Sequence, residues 1–99
     1  MYYKISKEAA NDLETIWFYT LKKWSIEQAD RYYQLLMDEI ENLAKNPTIG
    51  KDYSEVRKGF FGSRVKSHFI FYKINKQKEK IEIIRILHQR MNIKIRLSE

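Results

Sequence analysis

The chain has 99 residues, no cysteine, 43% hydrophobic residues and a formal net charge of +6. That length supports one domain with a single core, the missing cysteines exclude disulfides and thiolate metal sites, and no stretch approaches the ~20 apolar residues of a membrane span. Residues 1–50 hold 6 basic and 8 acidic groups while residues 51–99 hold 13 and 5, so the halves carry −2 and +8. The second half should attract an acidic peptide, nucleic acid or an acidic protein surface.

Tyr2-Tyr3-Lys4-Ile5 reads as a short strand. Ser6 offers an N-cap and Glu8 an acid in the first turn, where the helix dipole favours negative charge. Ala9, Leu13, Ile16, Trp17, Thr20 and Trp24 then recur at three- and four-residue intervals, which predicts an amphipathic helix over about residues 7–22. Ser25-Ile26-Glu27-Gln28 has the pattern of a capping box and opens a second helix. Its stripe runs Ala29, Tyr32, Tyr33, Leu36, Ile40, Leu43 and Ala44, and it ends at Asn46 because Pro47 disfavours helical geometry in the residue before it. So short a link predicts an antiparallel helical hairpin whose aromatic stripe, with Trp17, Trp24, Tyr32 and Tyr33, belongs to the core.

Thr48 to Glu55 is a surface connection, and Phe60 to Val65 is a strand interrupted by Gly62. Ser67 to Ile74 and Ile81 to His88 are rich in aromatic and β-branched residues and form the two arms of a hairpin. If Ile74 faces Ile81, Lys73 pairs with Glu82, Tyr72 with Ile83, Phe71 with Ile84, Ile70 with Arg85 and Phe69 with Ile86. Such pairs contribute roughly 0.2–1 kcal/mol each. This register puts Phe69, Phe71, Ile84 and Ile86 on one face, and His68, Ile70, Tyr72, Ile83, Arg85 and Leu87 on the other. Both faces are too apolar to meet water, so both need cover. An unpartnered guanidinium is costly to bury, which predicts that the Phe69 face meets the helices and the Arg85 face stays open for a partner. Residues 91–99 add an edge strand or remain a flexible tail until a partner orders them.

Residues 1–99 are thus one α+β domain: strand, helix, helix, then three antiparallel strands, with the helical hairpin on one sheet face. Met1-Tyr2-Tyr3-Lys4 lacks an apolar targeting core and cysteine is absent, so a cytoplasmic location without membrane contact is expected. Two histidines on opposed faces with no supporting carboxylate are not a metal ligand set, and glycine-rich phosphate loops and serine-nucleophile motifs are absent. No cofactor is expected.

Ile5-Ser6, Ala10-Asn11-Asp12-Leu13, Trp17, Tyr19, Gln28-Ala29-Asp30-Arg31-Tyr32, Leu43-Ala44-Lys45-Asn46-Pro47-Thr48-Ile49-Gly50, Val56-Arg57-Lys58-Gly59 and Arg85-Ile86-Leu87-His88-Gln89-Arg90-Met91 come in an order and spacing that resembles the ParE branch of the RelE/ParE toxin superfamily. The resemblance covers about Ile5 to Met91. It implies the toxin of a type II toxin–antitoxin module, neutralised by a cognate antitoxin whose acidic or amphipathic segment binds it in a hetero-oligomer. It also implies a non-catalytic poison of DNA gyrase; the alternative is a ribosome-dependent mRNA endoribonuclease of the RelE type.

RNA cleavage through the 2′-hydroxyl needs a base, an acid and cations around the phosphorane. RelE-like nucleases supply a tyrosine near the end of the last strand, whereas this chain has none beyond Tyr72. His88 points toward the core in the register above, and His68, Arg85 and Tyr72 make only a paper site. No catalytic residue is therefore assigned. The expected antitoxin- or target-binding surface comprises Arg57, Lys58, Arg64, Lys66, Ile70, Tyr72, Arg85, Arg90 and Met91.

Overall fold

A computed structural model describes residues 1–98 and shows a two-helix hairpin packed on a five-stranded mixed sheet. In chain order the elements are β1 (Tyr2–Ile5), α1 (Lys7–Lys23), α2 (Ile26–Lys45), β2 (Lys51–Asp52), β3 (Phe61–Val65), β4 (His68–Asn75), β5 (Lys80–His88) and α3 (Ile93–Ser98). The sheet order is β1-β5-β4-β3-β2, with β1 parallel to β5 and the other neighbours antiparallel.

Both helix starts form as their sequences predict. The Ser6 Oγ accepts the Ala9 amide at 3.0 Å and the Ser25 Oγ accepts the Gln28 amide at 3.1 Å, each satisfying an amide the helix leaves unpaired. No helix among the described residues is long and apolar enough to cross a membrane.

The central hairpin departs from the simple register at one place. Ile74 pairs with Ile81, Lys73 with Glu82 and Tyr72 with Ile83, but Phe71 then pairs with Arg85, Ile70 with Ile86, Phe69 with Leu87 and His68 with His88. Ile84 is the extra residue of a β-bulge, and past it every β5 partner is displaced by one. Ile70 and Tyr72, with Ile81, Ile83 and Ile86 of β5, therefore lie under α1 and α2 beside Leu13, Leu36, Ile40 and Leu43. Phe71 and Leu87 occupy the second face, packed with Phe69 and Ile84. The expected assignment of Phe69, Phe71 and Ile84 to the helix side was reversed; of that set only Ile86 faces the helices.

The second face is not open either. Ile93 and Leu97 of α3, with Tyr53, Val56 and Phe60 of the connection between β2 and β3, close over Phe71 and Leu87. The Arg57 Nη1 donates to the Leu97 carbonyl at 2.7 Å and ties α3 down. The tail expected as an edge strand or a flexible segment is thus largely helical, with Leu97 only 3% exposed; Glu99 lies outside the described residues. The chain itself covers a hairpin that is apolar on both sides.

Candidate functional site

Arg85 has a structural partner. β1 pairs with β5 only as far as Ile83, and beyond that point α1 takes over the strand edge. The Ser6 Oγ donates to the Ile84 carbonyl at 2.9 Å, and the Asp12 Oδ2 accepts the Ile86 amide at 2.9 Å. The same carboxylate receives the Arg85 Nε at 2.9 Å and Nη2 at 3.1 Å, a bidentate pair with side chains 19% and 14% exposed. Asp12 thereby removes the cost that made an interior Arg85 implausible, and the guanidinium is fixed to its own helix instead of forming an open binding face.

Ile70 and Tyr72 leave the expected surface for a different reason, since both are completely buried. The Tyr72 hydroxyl donates to the Pro47 carbonyl at 2.7 Å and accepts the Gly50 amide at 3.1 Å, and burial pushes its pKa above the usual tyrosine value. Arg57, Lys58, Arg64, Lys66, Arg90 and Met91 are exposed. They fall into two groups. Arg57 and Lys58 sit in the connection before β3, with the Arg57 guanidinium over the Phe60 ring. Arg64, Lys66, Arg90 and Met91 gather where the β3–β4 turn meets the end of β5, joined by an Arg64 Nη2 to Gln89 hydrogen bond and by the Gln89 amide donating to the Ser67 carbonyl at 2.8 Å.

Beside this second group a groove of about 730 Å3 opens between the helical hairpin and the sheet end. Its walls include Tyr19 of α1, Trp24 at the end of α1 and Tyr32 of α2; His68, His88, Arg90 and Met91 come from the sheet side, and no acidic side chain among the described residues lines it. Trp24 is 75% exposed, which corrects the expectation that this aromatic stripe is all core. Tyr33 is likewise exposed, and Trp17 is half-buried with its indole N–H donating to Asp30 at 2.9 Å.

The bulge brings His68 and His88 to the same face as cross-strand partners, with ring centroids 5.0 Å apart. Their juxtaposition is invisible without the bulge, because an unbroken alternation sends them to opposite sides. The His88 Nδ1 accepts the Arg90 amide at 3.0 Å, so the neutral ring carries its proton on Nε2. The Tyr32 hydroxyl lies 2.6 Å from the His68 Nδ1 and 3.2 Å from the Val65 carbonyl. A carbonyl only accepts, so both bonds form when Tyr32 donates to Val65 and the His68 Nδ1–H donates to Tyr32; the His68 Nε2 is then an acceptor. Burial first, and then the neighbouring His88, push the His68 pKa down to about 4, against the opposing pull of Asp12. The ring is neutral at pH 7. With its proton on Nε2, His88 offers no lone pair there, and no group of three or more histidine or carboxylate side chains among the described residues could hold a metal ion.

The family description "ParE toxin of type II toxin-antitoxin system, parDE" matches residues 3–93. The chain belongs to the ParE toxin family. It is 37% identical over 96 residues to Toxin ParE1 of Caulobacter vibrioides, covering 97% of both chains, and 36% identical over 91 residues to Toxin ParE1 of Mycobacterium tuberculosis, covering 92% of both. Toxin ParE of Escherichia coli is 32% identical over 97 residues, or 98% of this chain and 93% of that one. Among solved structures, a chain of the chromosomal ParDE toxin–antitoxin system of P. aeruginosa superimposes with a TM-score of 0.77 at 20% identity, covering 89% of this chain and 95% of that one. A chain of the toxin–antitoxin complex RelBE2 of Mycobacterium tuberculosis gives 0.69 at 18% identity, with 88% and 95% covered. The fold is that of the RelE/ParE toxins, and the protein is a ParE-type toxin of a type II toxin–antitoxin system.

Proposed function

We propose that this toxin acts by binding and not by catalysis, as a poison of DNA gyrase, and that a cognate antitoxin neutralises it in a hetero-oligomer. Membership of the ParE family carries the choice of target. The dispersal of the candidate nuclease groups supports the absence of chemistry: Arg85 is clamped by Asp12, the Tyr72 hydroxyl is held by Pro47 and Gly50, and His68 stands elsewhere beside Tyr32. A general base works best with a pKa near the operating pH, and His68, at about 4, is a weak acceptor for a ribose proton at pH 7.

The antitoxin is proposed to use the exposed residues of the expected surface, Arg57, Lys58, Arg64, Lys66, Arg90 and Met91, which suit an acidic amphipathic segment. Message cleavage on the ribosome is the competing reading, supported by the likeness in fold to RelBE2 and by the two histidines of the groove. Gyrase-driven supercoiling and programmed ribosomes, each incubated with the purified toxin, separate the two. Loss of supercoiling with intact message is expected. Message cleavage that disappears in His88→Ala, with supercoiling unaffected, would reverse the assignment.

A further inference from the structure

We propose that the groove between the helical hairpin and the end of the sheet binds an unpaired nucleotide of single-stranded nucleic acid, stacking its base on the aromatic wall and taking its phosphate on Arg90. Three features point there independently. Tyr19 and Trp24 are 61% and 75% exposed although both line the groove, and large rings left in water beside a concavity are stacking platforms. Among the described residues the groove has Arg90 as its cation and no carboxylate, so its lining favours an anionic ligand. On the sheet side, His68 and His88 line the same groove as a perpendicular ring pair with centroids 5.0 Å apart, adding aromatic surface to its wall.

The Tyr32 bond holds the His68 ring and the Arg90 amide holds that of His88, so this wall is preorganised. A base in a duplex has its edge occupied and its faces stacked, so only an unpaired one fits. The inference does not rest on gyrase as the target.

The test is fluorescence anisotropy of the isolated toxin with labelled oligo-dT and oligo-U of equal length, and with a duplex of that length. Binding of a single strand at least tenfold tighter than the duplex is expected, and the tighter of the two single strands identifies the source as DNA or RNA. Trp24→Ala, at an exposed position that does not threaten folding, should weaken single-strand binding roughly 5- to 150-fold, the effect of losing one base–aromatic stack. Arg90→Gln should weaken single-strand binding, and Lys58→Gln, outside the groove, should weaken single strand and duplex equally. Duplex binding as tight as single strand, no effect of Trp24→Ala, or full displacement of the strand by poly-glutamate would show diffuse attraction to a basic surface and overturn the proposal.

Discussion

Asp12→Ala probes the contact that decides where Arg85 lies. The Asp12 carboxylate accepts three hydrogen bonds, from Arg85 Nε and Nη2 and from the Ile86 amide, at 2.9, 3.1 and 2.9 Å. Removing it takes the bidentate Asp12 contact from a guanidinium that is 19% exposed and the acceptor from a strand-edge amide. Breaking a fully buried ion pair costs about 3–5 kcal/mol and orphaning a buried amide about 1–3 kcal/mol. Water can still reach part of this guanidinium, so a combined loss of about 2–4 kcal/mol is expected, or roughly 8–30 °C in Tm for a domain of this size. Urea denaturation followed by circular dichroism measures it. Because loss of the bidentate Asp12–Arg85 pair carries much of the penalty, adding Arg85→Met to Asp12→Ala should recover part of the loss, a non-additivity of at least about 1 kcal/mol. A cost below about 0.5 kcal/mol, or strict additivity, would refute the view that Asp12 holds Arg85 in a structural role.

Gly50→Ala should destabilise the fold, because its Cβ would lie 2.2 Å from the Tyr72 hydroxyl; removing that oxygen with Tyr72→Phe should relieve part of the clash, as a double-mutant cycle in urea would show. The His68 pKa in the folded state, about 4, lies below its ordinary value of 6.5, so the unfolded chain binds more protons between those pH values and stability falls as pH drops through that window. His68→Gln should flatten the decline between pH 6.5 and 4.5, measured as the urea midpoint against pH. Leu97→Ala should cost about 2–3 kcal/mol, the low end for a buried leucine because a chain-terminal helix relaxes easily, and should raise binding of a hydrophobic dye as Phe71 and Leu87 lose their cover.

The helices were legible because their signals are local: Ser6, Ser25 and Pro47 mark ends, and the apolar spacing marks faces. The strand pairs nearest the β4–β5 turn were legible for the same reason. The bulge at Ile84 was not, since it answers to packing beyond its own strand, where α1 occupies the β5 edge that β1 leaves bare. That one residue accounts for the unseen His68–His88 contact. The reversed faces have a separate source: a mid-strand arginine marks an open face only where no carboxylate reaches it, and Asp12 reaches Arg85 from α1, one turn before Ile16. The second cover went unread because Ile93-Lys94-Ile95-Arg96-Leu97 alternates like a strand, while Ile93 and Leu97 are also four apart and share a helix face. Of the nine expected surface positions, the exposure of six follows from polarity or chain position alone, whereas that of Ile70, Tyr72 and Arg85 depends on the face assignment and moved with it.

The most direct test of a toxin that binds its target without chemistry is covalent trapping of gyrase on supercoiled plasmid. Purified toxin should increase cleaved, protein-linked DNA in proportion to its concentration, the His68→Gln/His88→Gln double variant should do so equally well when folded, and stoichiometric antitoxin should abolish the effect. Unchanged DNA alongside cut message in a ribosome assay would contradict the account.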